Sequence, residues 1–430
     1  MLGIIRKILS EEKADAYKIT EYRTESRELF LVKKNVDMDR AKNVRHFKVV
    51  VYKDFEEEGI LYRGSCNTDI HPTMTEEEIR KVVTDALFAA GFVKNPFYHL
   101  AQPGEYMPPG KSRFAEGSLT VHMESLVTEL YENDIHEKGG INSSEIFLNK
   151  HFRRIVNSLG VDVQEETADC MIEFITVWKE EKEETELYKC LQFSDYSKGD
   201  VARAAAKKQE ECQKKAKAEK LFALDSGNIL LTGEAVQSFF EYYCAKSNAA
   251  AVYNGESDWK PGDNIQGEIL GDAVNISLDP GMSASTRSSG FDEDGFPLRP
   301  VNIVEEGVLK RYAADIRYAH YLKVEPTGVI KNIRVKGGTR SIEEMKREPY
   351  LEILTFSDFS MDAITGDFGG EIRLAEYFDG KDTIPVTGGS VTGNIGRVHG
   401  HMYLSREIQA ENDFEGPAAV SMKGINVTSG

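Results

Sequence analysis

Val44-Arg45-His46-Phe47-Lys48-Val49-Val50-Val51-Tyr52 places Phe47, Val49 and Val51 on one side of an extended chain. A period of two with β-branched and aromatic members is the pattern of a half-buried strand. The same alternation covers residues 44–66 and, before them, 16–34, so the chain opens on strands paired in hairpins or a meander. Ahead of them, Met1 to Ser10 reads as an amphipathic first helix. Behind them, Thr75-Glu76-Glu77-Glu78 is a capping box that opens a helix to about Gly91. In such a box the Thr side chain accepts from the amide three residues on and the Glu reaches back. Ile79, Val82, Val83, Ala86, Leu87 and Ala90 form its apolar stripe.

Further out, a Pro- and Gly-containing loop runs from Asn95 to Lys111, and residues 120–138 read as helix. Strands follow near 145–157, 161–168, 171–180 and 186–194, the first two joined by Asn157-Ser158-Leu159-Gly160 as a turn. Residues 198–222, rich in Ala, Lys, Glu and Gln, give the strongest helix of the chain. After Leu224 glycine becomes frequent, and one helix near 234–247 interrupts short strands joined by Gly and Pro turns. This is an antiparallel β texture. The expected fold is therefore α+β in two domains: 1–222, of mixed sheet and helices, and 223–430, mostly antiparallel β. A length of 430 residues asks for at least two cores.

The charge narrows the function. Acids outnumber bases 71 to 53, a formal −18, whereas nucleic-acid binders cluster Lys and Arg against phosphates. The densest basic stretch, Lys207 to Lys220, is interleaved with Glu210, Glu211 and Glu219, the pattern of a solvated helix face. Direct nucleic-acid binding is not expected. No apolar run reaches the roughly 18–20 residues of a membrane span, and the N-terminus lacks the apolar core of a signal peptide, so the expected address is the cytoplasm. Cys66, Cys170, Cys190, Cys212 and Cys244 are scattered and odd in number, which fits neither a disulfide framework nor a zinc ribbon.

Motifs for self-contained chemistry are missing. A metallopeptidase helix carries two His on one face with a Glu between, so that the metal acidifies a water and the Glu takes its proton. No His-Glu-x-x-His is present, and neither is a G-x-S-x-G elbow nor a phosphate-binding G-x-x-x-x-G-K-[ST] loop. His399-Gly400-His401, read as strand, would set both rings on one side, with Glu407 as a possible third ligand. These two histidines are the weak metal candidates.

A set of phrases in fixed order resembles the TldD/PmbA family. They are Asn157-Ser158-Leu159-Gly160, Gly290-Phe291-Asp292-Glu293-Asp294-Gly295, Val304-Glu305-Glu306-Gly307-Val308-Leu309, Thr327-Gly328, Thr365-Gly366-Asp367-Phe368 and Ser390-Val391-Thr392-Gly393-Asn394. The order holds over about residues 15–428. The resemblance implies one of two subunit types. TldD-like chains carry a His-Glu-x-x-x-His helix and a C-terminal Cys that hold zinc; PmbA-like chains, also called TldE, lack these and pair with the catalytic chain. The nearest stretch here is Thr232-Gly233-Glu234-Ala235-Val236-Gln237-Ser238, with Gly233 and Ser238 at the His positions and no Cys after Cys244.

The resemblance thus implies a non-catalytic subunit of a zinc metallopeptidase complex acting on unfolded peptide, in peptide maturation or proteolysis. No cofactor is expected in this chain and zinc is expected in the TldD-like partner. A homodimer is expected of the isolated chain. The glycine strands carrying Gly366, Asp367, Phe368, Gly369, Gly370, Gly393 and Asn394 suit either a peptide held along a β edge or plain turn geometry. Two other readings stay open: a self-sufficient metallopeptidase with a site near His399 and His401, and a peptide-binding or regulatory protein without a protease role. A DNA-gyrase regulator is disfavoured by the acidic charge.

Overall fold

The computed structural model describes the chain apart from residues 109, 111 and 181–183, and describes only the backbone at 225 and 226. The expected loop ending at Lys111 therefore closes outside the described residues. The N-terminal part runs α1 (Leu2–Glu11), β1 (Ala16–Val32), β2 (Asn35–Glu57), β3 (Ile60–Ile70), α2 (Glu76–Ala90), α3 (Leu119–Leu130), β4 (Gly139–Asn157), β5 (Asp162–Lys179), β6 (Glu184–Phe193) and α4 (Asp200–Lys215). Its six strands form one sheet in the order β3-β2-β1-β4-β5-β6, antiparallel throughout.

The period-two reading of β2 holds: Phe47, Val49 and Val51 are fully buried. They pack with Ile5, Ile8 and Leu9 of α1 and with Ile79, Val83, Ala86 and Ala90 of α2. Burial of such side chains removes apolar surface from water, the main favourable contribution to folding. The capping box is present, with Thr75 Oγ1 accepting from the Glu78 amide and Glu78 Oε2 accepting from the Thr75 amide at 2.7 Å. Gly64 of β3 lies against the end of α2; a Cβ there would overlap the carbonyl oxygen of Ala90. The other half of the sheet is covered by α3 and α4, whose Leu126, Leu130, Val201 and Ala205 meet Ile146, Leu148, Ile172 and Phe174.

Three expectations change. The two strands expected over 161–168 and 171–180 are one, Asp162–Lys179, in which Asp169 is held in register by Asn149 Nδ2 at 2.8 Å and His151 Nε2 at 2.7 Å from β4. The helix expected over 120–138 ends at Leu130; beyond it the Asp134 carboxylate accepts from the Ile141 amide at 2.9 Å and fixes a turn. The helix expected over 198–222 ends at Lys215, and Glu219–Lys220 instead forms β7, paired parallel with residues 386–387. A strand partner there outweighs local helix propensity.

The C-terminal part continues with β8 (Leu224–Thr232), α5 (Glu234–Lys246), α6 (Ala249–Tyr253), β9 (Ile276–Leu278), β10 (Val301–Glu305), β11 (Val308–Leu309), α7 (Ile316–Leu322), β12 (Ile333–Val335), α8 (Ile342–Met345), β13 (Tyr350–Met361), β14 (Asp367–Phe378), β15 (Thr383–Thr387), β16 (Ser390–Asn394), α9 (Ile395–Val398), β17 (Tyr403–Leu404), β18 (Ile408–Glu411), β19 (Phe414–Pro417) and β20 (Ala419–Thr428). One sheet has the order β13-β8-β20-β16-β14-β15-β7 with β17 on β20; the other runs β11-β10-β9-β12-β19-β18. Most pairings are antiparallel; β13–β8, β15–β7 and β12–β19 are parallel. The fold is α+β. One helix was expected in this part; α6, α7, α8 and α9 add to it, each a short turn opened by the side chain of Asn248, Asp315, Ser341 or Asn394. Helices this short leave no readable period.

The segment 289–296 fastens the C-terminal part to the N-terminal sheet. Lys18 Nζ of β1 donates to Asp294 Oδ1 at 2.5 Å and to the Glu293 carbonyl at 2.8 Å. Asp292 is buried at 4% exposure. Its carboxylate accepts from the amides of Asp294, Phe296 and Val329 at 2.9, 3.0 and 3.2 Å. Burial, then the nearby charge of Asp294, pushes its pKa up to about 6 against these amides. Between about pH 4 and 6 the folded carboxyl keeps a proton that the unfolded chain releases. Its contribution to stability is therefore lost as pH rises through that window, on the order of 2–3 kcal/mol. Urea unfolding at pH 4 and pH 7 should show wild type losing about that much relative to Asp292→Asn; a pH-independent difference would refute the assignment.

Candidate functional site

Helix α5 is held by its apolar face. Val236, Phe239, Phe240 and Tyr243 are fully buried in the largest core, with Phe368 and Phe414 against them. Ala235 is also buried on this face and Tyr242 is half-buried. The start of α5 projects into a cleft of about 1300 Å³, which also takes in β6, α4, β13 and β18.

Two of these walls are sheet edges. β6 ends the N-terminal sheet and β18 ends a C-terminal one. Lys189 of β6 joins them at the α5 start: its Nζ lies 2.8 Å from Glu234 Oε1 and 3.3 Å from Glu411 Oε2 of β18. Burial opposes the charge on Lys189, but the two carboxylates prevail and its pKa is raised. Asn412 Nδ2 donates to Gln192 Oε1 at 3.1 Å, and Gln409 Nε2 to the Gly233 carbonyl at 3.0 Å. Elsewhere the walls are internally ion-paired: Lys208 with Glu211 at 2.5 Å, Lys214 with Glu376 at 2.6 Å, Lys346 with Glu352 at 2.5 Å. Lys215 differs, its pKa lowered by burial and by Arg373, with Nζ donating to the Glu186 carbonyl at 3.0 Å. A strand edge offers unpaired amides and carbonyls, so the chemistry available here is main-chain recognition of an extended segment.

The glycine residues singled out in the sequence are brought together, but inside a sheet. Asp367 faces Asn394, Phe368 faces Gly393, and Gly369 and Gly370 follow in β14 against β16. The opposite edge of β14 is taken by β13, with Met361, Ser360 and Phe359 facing Phe368, Gly369 and Gly370. An added strand has no free edge there. The glycines give close approach instead: a Cβ on Gly370 would overlap the Asp358 carbonyl, and one on Gly393 the Phe368 ring. Gly366 has φ +75° and closes the turn into β14. Asn394 Nδ2 donates to Asp367 Oδ1 at 2.8 Å and to the Thr365 carbonyl at 3.0 Å, and Asn394 foremost keeps the Asp367 carboxyl pKa low.

His399 and His401 do not lie on a strand. Asn394 opens α9, His399 ends it, and Gly400 turns the chain against the Glu268 carbonyl. His399 Nδ1 is 3.2 Å from the Tyr243 hydroxyl, and burial lowers its pKa. His401 is exposed and lines a separate cavity with Arg340, Arg347 and Lys423. Glu407 Oε2 accepts from the Ile342 amide at 3.0 Å. Among the described residues no three His, Cys, Asp or Glu side chains are gathered as metal ligands. The α5 start does not suit zinc either: Gly233 and Ser238 offer no imidazole, and the Lys189 ammonium already sits on Glu234. The cleft residues Lys189, Gln409 and Glu411 were not singled out in the sequence. Nothing local marks β6 and β18 as the last strands of their sheets.

This α+β architecture, with a β-rich C-terminal part built around α5, is the fold of known proteins. Residues 225–429 match the family model of the PmbA/TldA metallopeptidase C-terminal domain, and this part of the chain belongs to the TldD/PmbA family. The whole chain superposes on TldE from Thermococcus kodakarensis with a TM-score of 0.82 at 17% identity, covering 100% of this chain and 99% of the other. A proposed modulator of a DNA gyrase from Thermotoga maritima gives 0.80 at 16% identity, over 99% of each chain. In sequence, an uncharacterized protein of Methanocaldococcus jannaschii is 24% identical over 348 residues, 76% of this chain and 80% of that one. No helix among the described residues is long and apolar enough to cross a membrane.

Proposed function

We propose that this chain is a TldE/PmbA-like subunit without a catalytic centre of its own, working beside a zinc-bearing TldD-like chain. In this reading its cleft holds unfolded peptide in extended form along the edges of β6 and β18, for maturation or degradation by the partner. Zinc belongs to the partner. The complex works in the cytoplasm, without nucleic acid or membrane. The observation that carries the reading is the α5 start, where Gly233 and Ser238 stand in place of imidazoles and Glu234 is bound by Lys189. The Lys189 ammonium occupies the carboxylate that would otherwise face a metal-bound water. The likeness to TldE of Thermococcus kodakarensis supports the same side of the family.

The test is an unstructured peptide offered to the chain alone and to the chain with a TldD-like protein carrying His-Glu-x-x-x-His. Hydrolysis is expected only in the mixture, and a zinc chelator should abolish it. Chelator-sensitive hydrolysis by the isolated chain would overturn the proposal and favour a self-sufficient peptidase. Stoichiometric zinc lost in a His399→Ala, His401→Ala double variant would then locate its site. Peptide retention with no hydrolysis in either sample would favour a binding or regulatory protein.

A further inference from the structure

Helix α8 and the turn after it separate two cavities. Ile342 and Lys346 line the cleft described above, whereas Glu344, Arg347 and Glu348 line a second cavity of about 480 Å³. Its other walls include Arg340, Tyr403 of β17, Asn228 of β8 and Ser421 of β20. In a chain with a formal charge of −18, this cavity is cationic. Its two carboxylates are already matched. Glu344 Oε2 accepts from Arg406 Nη2 at 2.7 Å, and Glu348 Oε2 from Lys423 Nζ at 2.9 Å. Arg340 and Arg347 are left over, and neither guanidinium has a hydrogen bond or ion pair among the described residues. The Arg340 guanidinium carbon lies 3.3 Å from the centre of the Tyr403 ring. A guanidinium stacked on a ring is held in place while its planar fork of donors stays available. Asn228 Oδ1 accepts from the Ser421 hydroxyl at 2.8 Å, and the Asn228 amide hydrogens have no partner among the described residues. Gly424 bulges from the β8–β20 register, in which Lys423 faces Asn228 and Ile425 faces Gly227. A Cβ on Gly424 would meet open space, so the cavity is accessible on that side.

We propose that this cavity binds a phosphate monoester of small-molecule size. The two positive charges left on Arg340 and Arg347 match a monoester, which carries about −1.5 to −2 at neutral pH. Arg forks pair with phosphate oxygens through parallel N–H···O bonds. A phosphate also offers a third acceptor oxygen for the Asn228 amide, which a carboxylate does not. The space is larger than one phosphate group and in the range of a small-ligand pocket, so it takes the organic body of the ester as well. The inference does not depend on the peptidase role, and its readout is binding rather than hydrolysis.

Titration calorimetry of the full chain with ribose 5-phosphate is expected to show one site, with ribose silent and inorganic phosphate weaker. Arg340→Met and Arg347→Met should each raise the dissociation constant about tenfold or more. Arg340→Lys keeps the charge but loses the fork and the stack, and should raise it about threefold or more. All three variants should unfold in urea at the wild-type midpoint, since neither arginine holds an ion pair that folding requires. No binding of ribose 5-phosphate at millimolar concentration would overturn the proposal. So would equal binding of ribose, or binding that neither methionine variant weakens. Inorganic phosphate binding as tightly as the ester would overturn the monoester assignment in favour of the free anion.

Discussion

Arg153→Ala is expected to lower the unfolding free energy by about 3–5 kcal/mol, because it strands a buried carboxylate. The guanidinium of Arg153 reaches Glu165 Oε1 at 2.6 Å, Glu293 Oε1 at 2.8 Å, Ser289 Oγ at 2.8 Å and the Phe291 carbonyl at 2.9 Å. It also stacks over the Phe291 ring at 4.7 Å. Glu165 has a side-chain exposure of 5%, so without Arg153 its charge is compensated only by the Ser289 hydroxyl and the Gly290 amide. The loss should be read by urea unfolding at neutral pH. Arg153→Met with Glu165→Leu should recover much of it, since replacing both ions leaves no buried charge. A single variant within about 1 kcal/mol of wild type would show that this junction between the two parts is not stabilised as described.

Phe240→Ala is expected to cost about 3–5 kcal/mol. Phe240 is fully buried and lies between Phe239, Tyr243 and Phe414, with ring centroids 5.7, 6.1 and 6.3 Å away. The rigid core around it restricts collapse into the vacated space, and a residual cavity adds to the lost transfer free energy. Phe240→Leu should cost distinctly less. If both variants unfold at the wild-type denaturant concentration, α5 is not anchored by this face. The result bears on function, because α5 also presents Glu234 to the cleft.

Much of this fold is legible in the residues. The alternation at Phe47, Val49 and Val51, the capping box at Thr75 and the turn Asn157 to Gly160 are local signals, and each has its expected place. The phrases that resemble the TldD/PmbA family include the segment 290–295 that fastens the two parts, so part of that likeness reflects assembly of the fold. What was not legible depends on distant partners. Residues 219–220 become strand only because Val386 and Thr387 lie beside them. Gly366 to Gly370 look suited to an open edge until both neighbours of β14 are known. Lys189 is one lysine among many until folding places Glu234 and Glu411 around it.

The placement of β20 has a consequence for how the protein is made. It is the last strand in the chain, yet it lies between β8, the second strand of this part, and β16. The N-terminal sheet has all its strands by Phe193, so it can form while synthesis continues. The C-terminal core cannot close until Ala419–Thr428 have left the ribosome, and Ile229, Leu230 and Leu231 lack one of their two strand neighbours until then. Emerging chains of this protein therefore pass through a stage in which one half is folded and the other is exposed to chaperones and proteases.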